Sequence, residues 1–146
     1  MPHNLHQYLA SLPDDDGDTP PVVDLDLYFA GNADEESIAP NQWGYGRPPI
    51  AQLYARFREI AARPEVEKVL VGLHQDWCDY DEDEVAAGRF PPAENVHLFT
   101  RAKVEEVEGW IAGMEADGVI AGWPYGKPAN APAPSEGYSV LSVCWD

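Results

Sequence analysis

The chain has 146 residues, nine Lys and Arg against 26 Asp and Glu, and a formal charge of −17 at neutral pH. That balance argues against direct nucleic-acid binding and against docking on an anionic membrane, because both draw on Lys and Arg. Hydrophobic residues make up 45 % of the chain, enough for a core, so wholesale disorder is not expected, and the length fits one domain over residues 1–146.

The charge is unevenly distributed. Residues 1–46 contain no Lys or Arg, residues 47–75 are locally basic, and residues 76–93 turn acidic again. A local attraction between the first basic helix and an acidic segment is expected. Residues 1–12 lack a basic residue and an apolar run of signal-peptide length, and no segment approaches a membrane span, so the reading is cytoplasmic.

Leu5, Tyr8, Leu9 and Leu12 recur at helical spacing, which predicts a short N-terminal helix. It is followed by an acidic linker to residue 21, and the α+β core is expected over 22–146. Val23, Leu25, Leu27 and Phe29 alternate with Asp24, Asp26 and Tyr28, the period of a half-buried strand, with a helix starting near Pro21 as the competing reading. Residues 31–49 are rich in Gly, Asn and Pro and read as a connection. Ile50, Leu53, Tyr54, Phe57, Ile60 and Ala61 mark the clearest helix, which Pro64 ends.

Residues 66–74 alternate as a strand, with Val69, Val71 and Leu73 on one face and Lys68, Leu70 and His74 on the other. A second strand follows at 95–100. A helix capped by Thr100 is predicted to run through Glu115, with Val104, Val107, Trp110, Ile111 and Met114 as its apolar stripe. Residues 119–123 read as a short edge strand, the segment 124–137 with Pro124, Pro128, Pro132 and Pro134 as loop, and 138–145 as a closing strand. The resulting β-α-β-β-α-β order is that of a split βαβ unit. It predicts a two-layer α+β sandwich: an antiparallel sheet of four or five strands with two main helices on one face.

Few constellations carry chemistry. Asp79, Asp81 and Asp83 start like a calcium loop, but Glu84 stands where Gly is needed and Phe90 where the bidentate Glu is needed. His74, Cys78, His97 and Cys144 have no ligand-knuckle spacing, so neither zinc nor a structural disulfide is expected; satisfied strand histidines are the simpler reading. Asp76 and Asp79 flank Cys78 and disfavour its thiolate. With no nucleophile elbow, phosphate loop or dinucleotide fingerprint, no catalytic residue, cofactor or metal ligand is assigned, and the reading is non-enzymatic.

Two aromatic loops remain. Trp43 and Tyr45 sit beside Arg47 on a Gly-rich backbone, and Trp77 and Tyr80 are embedded in the acidic run, which is not expected to pack as core. The residues nominated for partner binding are Trp77, Asp79, Tyr80, Asp81, Asp83 and Glu84, with Trp43 and Tyr45 second.

The runs Phe29-Ala-Gly-Asn, Ser37-Ile-Ala-Pro-Asn, Arg63-Pro-Glu-Val and Val69-Leu-Val-Gly-Leu, spanning residues 25–75, resemble a pattern in small uncharacterised bacterial proteins. Some of these are similar in style to immunity proteins that neutralise a toxin. The resemblance transfers no residue roles; the charge of −17, which steers a cationic partner into encounter, gives the expectation of a non-enzymatic interaction protein, an immunity protein among the forms it could take, that occludes a basic partner such as a toxin. An alternative reading places a small-molecule or catalytic site under the 43–47 and 123–127 loops.

Overall fold

The computed structural model describes residues 4–12 and 19–145; the expected acidic linker therefore lies largely outside the described residues. Strands β1 (Val22–Asp24), β2 (Val66–Leu73), β3 (Ala93–Thr100), β4 (Gly118–Ala121) and β5 (Ser139–Cys144) form one antiparallel sheet in the order β1-β2-β3-β5-β4. The expected α+β architecture is present. Helices α1 (Asn4–Ser11), α2 (Leu25–Phe29), α3 (Ile50–Ala61) and α5 (Val104–Trp110) contribute to one apolar cluster against a single sheet face, while the short α4 (Glu82–Ala86) buries none of its own residues.

The topology is not a split βαβ unit. β1 and β2 are adjacent and antiparallel, with Val23 opposite Val71, so β1-β2-β3 is a meander. β5 then inserts between β3 and β4.

The expected strand over residues 22–29 is corrected as well. Only Val22–Asp24 pairs with β2, and the chain turns directly into α2. Leu25, Tyr28 and Phe29 are buried at i, i+3 and i+4, so the segment carries a helical stripe beside the alternating one. Tyr28, placed among the polar positions by the strand reading, is completely buried, and its hydroxyl donates to Pro91 O at 2.6 Å.

α3 buries Ile50, Leu53, Phe57 and Ile60 against Val69, Val71 and Leu73 of β2. Full burial of each large side chain stabilises by roughly 1.5–3 kcal/mol. Val96, Leu98, Leu141 and Val143 extend this core across the sheet, and Trp110 packs at its margin, only partly buried. α5 is shorter than predicted. Its first turn is closed by Lys103 N donating to Glu106 Oε1 at 3.2 Å, because the Thr100 hydroxyl already donates to Glu65 O and accepts from Ala102 N. After Trp110 the chain winds through Gly113, at φ +87°, and still delivers Ile111 and Met114 to the core.

The second sheet face is also covered. Val22, Leu70, Phe99 and Val140 lie beneath Trp123 and Ala131 of the proline-rich loop. Asn130 of this loop closes one sheet edge: its Oδ1 accepts from Val22 N at 3.1 Å, and its Nδ2 donates to Val22 O at 2.7 Å and to Tyr8 Oη at 2.8 Å. A side-chain amide thus takes the place of a sixth strand and ties α1 to β1. Asn130→Ala is expected to lower stability by about 1–3 kcal/mol, since it strips two backbone groups of their partners. Urea unfolding with an unchanged m-value checks it; a change below about 0.5 kcal/mol refutes the edge-closing role.

Candidate functional site

The acidic run does not float free of the fold. A 3₁₀ turn (Gln75–Asp79) and α4 present Trp77 and Tyr80 to the main core, where both are half-buried, correcting the expectation that this segment stays clear of it. Asp81 caps α4 by accepting from Glu84 N at 3.0 Å, which fixes the helix start. The Tyr80 hydroxyl donates to Arg89 O at 3.0 Å and closes the segment into a loop.

Opposite it stands the loop after α2. Asn32 Oδ1 accepts from Asp34 N, and Asp34 Oδ1 accepts from Glu36 N, two successive side-chain turns that hold the backbone. Asp34 Oδ2 reaches across to accept from Phe90 N at 3.0 Å. Ala93 N then donates to Ser37 O at 2.8 Å, anchoring this loop to the start of β3.

Between the two lies a cleft of about 340 Å³ lined by Asp34, Glu36, Asp76, Tyr80, Glu84, Arg89 and Phe90. Its one cation, Arg89, is tied to Glu84 at 3.1 Å. Asp76 lies 3.4 Å from His74 Nδ1, and among the described residues no Lys or Arg pairs with Asp34 or Glu36. The Tyr80 hydroxyl is held above its ordinary pKa, first by burial and then by Asp34 and Glu84. Tyr80, Phe90 and Pro92 supply the apolar part of the lining, and four carboxylates make the rest predominantly negative.

The basic stretch meets the first acidic segment at the start of α3 and beside it: Arg47 pairs with Glu35, whose carboxylate also accepts from Ile50 N, and Lys68 Nζ lies 3.7 Å from Asp24. Arg56 of α3 donates to the carbonyls of Trp110 and Ala112, and Arg63 stacks 4.3 Å over the Trp110 ring. Arg56 and Arg63 serve helix ends and aromatic faces, so the cleft keeps its charge.

Of the nominated residues, Tyr80 and Glu84 line the cleft. Trp77 supports it from the core side, Asp81 caps α4, and Asp83 is exposed. The side chains of Asp79 and Cys78 lie outside those described. Trp43 is 38 % exposed and Tyr45 82 %, and neither lines the cleft. Asp34, Glu36, Asp76 and Arg89 were not nominated; the Asn-x-Asp-x-Glu turn signal at 32–36 was the available clue.

Arg47 has a structural place. It is buried, with Nε on Pro48 O, Nη1 on the carbonyls of Glu35 and Ile38, and Nη2 on the Glu35 carboxylate. The 43–47 and 123–127 loops pack against different parts of the fold. Gly46 lies against Glu115, whereas Trp123 covers the opposite sheet face. Beneath Trp123 the space beside His97 is only about 10 Å³, room for one water.

His97 itself is buried in that second face. Ser142 Oγ gives its proton to Gly122 O at 2.7 Å, so His97 Nδ1–H donates to Ser142 Oγ, also at 2.7 Å. The Trp123 ring lies 4.7 Å from the imidazole. Gly72 makes room for it, since a Cβ there would stand 2.5 Å from His97 Nε2. Burial lowers the imidazole pKa to about 4. Cys144 is half-buried and its thiol is pushed up by burial, then by Glu94 and Asp117. No group of three or more His, Cys, Asp and Glu among the described residues is arranged to hold a metal ion, and no described helix is long and apolar enough to cross a membrane.

These features define a class: a strongly acidic α+β protein with a concave cleft lined largely by carboxylates. The chain belongs to the uncharacterized protein YfbO family, whose model matches residues 3–143. No curated protein and no solved structure matches the chain.

Proposed function

We propose that the protein is a non-enzymatic, cytoplasmic interaction protein that receives a basic protein partner in the Asp34–Glu84 cleft, as an immunity protein does when it occludes a toxin. The observation that supports this most directly is the surplus of carboxylate in a concavity whose single arginine is already paired. The chain's charge of −17 draws a cationic partner into encounter, and the half-buried Tyr80 and Phe90 offer the apolar contact that holds it. Asp81 and Asp83 extend the negative rim. Asp34 and Glu84 are engaged within the fold, which leaves Glu36 and Asp76 as the groups to vary.

An octa-arginine peptide serves as the probe. In a titration followed by backbone amide shifts, Asp34, Asp76, Tyr80 and Glu84 are expected to move first. The triple variant Glu36→Gln, Asp76→Asn, Asp83→Asn is expected to slow association by about tenfold at low salt, with the difference closing as salt rises. Shifts spread evenly over all acidic surfaces, or an association rate indifferent to both variant and salt, would overturn the proposal.

A further inference from the structure

The two edges of the sheet are finished differently. At β1, Leu73 N donates to Pro21 O, so Val23 bonds to β2 and Val22 turns its backbone outward, where Asn130 takes both groups. At the other end, Gly122 N donates to Val140 O and Trp145 N donates to Glu94 O. This parity assigns the even-numbered residues of β5 to β4 and the odd-numbered ones to β3. The N–H and C=O groups of Val119 and Ala121 therefore point away from the sheet. Among the described residues, no side chain or loop caps them.

β4 also lacks the usual protections of an edge. Its sequence, Gly-Val-Ile-Ala, has no charge and no Pro, and its register with β5 is unbroken from Gly118 to Ala121, although a quarter of the chain is charged. Ile120 stands 43 % exposed on the second face. Asp117 directly precedes Gly118 at one end of this edge, its N–H donating to Cys144 O at 2.8 Å, and no described cation pairs with its carboxylate.

We infer that the outer edge of β4 receives an extended, cationic strand of a partner protein, which adds a sixth strand to the sheet. Main-chain bonds to Val119 and Ala121 would supply the pairing, an apolar guest residue would pack beside Ile120, and guest Lys or Arg would face Asp117 at the Gly118 end. A second copy of this chain is the weaker occupant, because each copy carries −17 and brings its own acidic flank to the contact. This surface is separate from the Asp34–Glu84 cleft and is tested apart from it.

The probe is a synthetic peptide of alternating Lys and Val, with an alternating Glu and Val peptide as control. Amide hydrogen exchange resolved by NMR is expected to slow by at least about tenfold at Val119 and Ala121 with the Lys peptide only. Ala121→Pro removes one outward N–H and no ladder bond, and is expected to weaken binding by at least about tenfold. Ile120→Lys leaves the backbone intact and places a like charge beside the guest, with the same expected loss, and it decides the matter if the proline variant does not fold. The inference fails if exchange at Val119 and Ala121 is unmoved, or if the peptide shifts only cleft amides, a result that spares the cleft reading. It also fails if Ile120→Lys binds as the parent does, or if the free protein is a dimer with these amides already protected.

Discussion

Arg47→Ala is expected to destabilise the protein by about 3–5 kcal/mol, the range for removing one partner of a buried charge pair. The guanidinium is buried and gathers four acceptors from three stretches of chain: Glu35, Ile38 and Pro48 by their carbonyls and Glu35 again by its carboxylate. The same Glu35 carboxylate accepts from Ile50 N at 2.9 Å, at the first turn of α3. Losing Arg47 frees the group that closes the start of the main helix, and it leaves the Ile38 carbonyl without its buried partner. Burial draws the guanidinium pKa down and Glu35 opposes it, and the guanidinium stays charged at any ordinary pH. At roughly 2–4 °C per kcal/mol for a chain of this size, the melting temperature should fall by about 10 °C. Arg47→Lys should recover little, because an ammonium cannot reproduce the planar fork. A double-mutant cycle with Glu35→Gln checks the origin of the effect; a coupling near zero would show that Arg47 acts through packing alone.

Acid is expected to weaken the fold through His97. In the unfolded chain this imidazole takes up its proton near 6.5, whereas in the fold burial delays uptake to about 4. Between those values the unfolded state holds the extra proton. The contribution is therefore intact above 6.5 and is lost progressively as pH falls toward 4, by about 3 kcal/mol in all. The geometry explains the reluctance: Nδ1 already donates to Ser142, and Nε2 faces the Gly72 backbone in a space with room for one water. Carboxylate protonation relieves self-repulsion over the same range and works in the opposite direction. The measurement is thus a difference, comparing urea midpoints of the parent and His97→Gln from pH 7 to pH 4. The parent should lose its advantage with falling pH, and parallel curves would refute the assignment.

Much of the fold was legible because its main elements carry uninterrupted periods. α3 keeps one apolar stripe from Ile50 to Ile60, and Val69, Val71 and Leu73 of β2 and Leu141 and Val143 of β5 alternate, although β2 shifts register between Val66 and Lys68. Residues 22–29 were misread because Leu25 and Phe29 fit both periods; Tyr28 decides between them, and only tertiary burial shows that its hydroxyl has a partner on Pro91. Strand order was illegible, since nothing local states that residues 139–144 insert between β3 and β4. The candidate site was visible in half. The acidic run announced itself by composition, but its opposing wall, Asp34 and Glu36, comes from a distant segment, joined to it by bonds such as Phe90 N to Asp34, 56 positions apart in the chain. Arg47 beside Trp43 has the composition of an exposed recognition loop, and the same residue types served a buried junction. Composition does not distinguish the two.

The insertion of β5 has a consequence for the order of folding. β4 touches the sheet only through β5, yet it precedes β5 in the chain, with the long proline-rich loop between them. During refolding β1, β2 and β3 can assemble from neighbours, whereas residues 118–121 have no strand to pair with until 139–144 has been threaded beside β3. In that interval Val119, Ile120 and Ala121 present two bare sides instead of one. Loop closure of this kind is slow compared with a tight hairpin, and the waiting species is prone to self-association. Refolding yield at high protein concentration should therefore be set by the rate at which this late pair docks, more than by the final stability of the sheet.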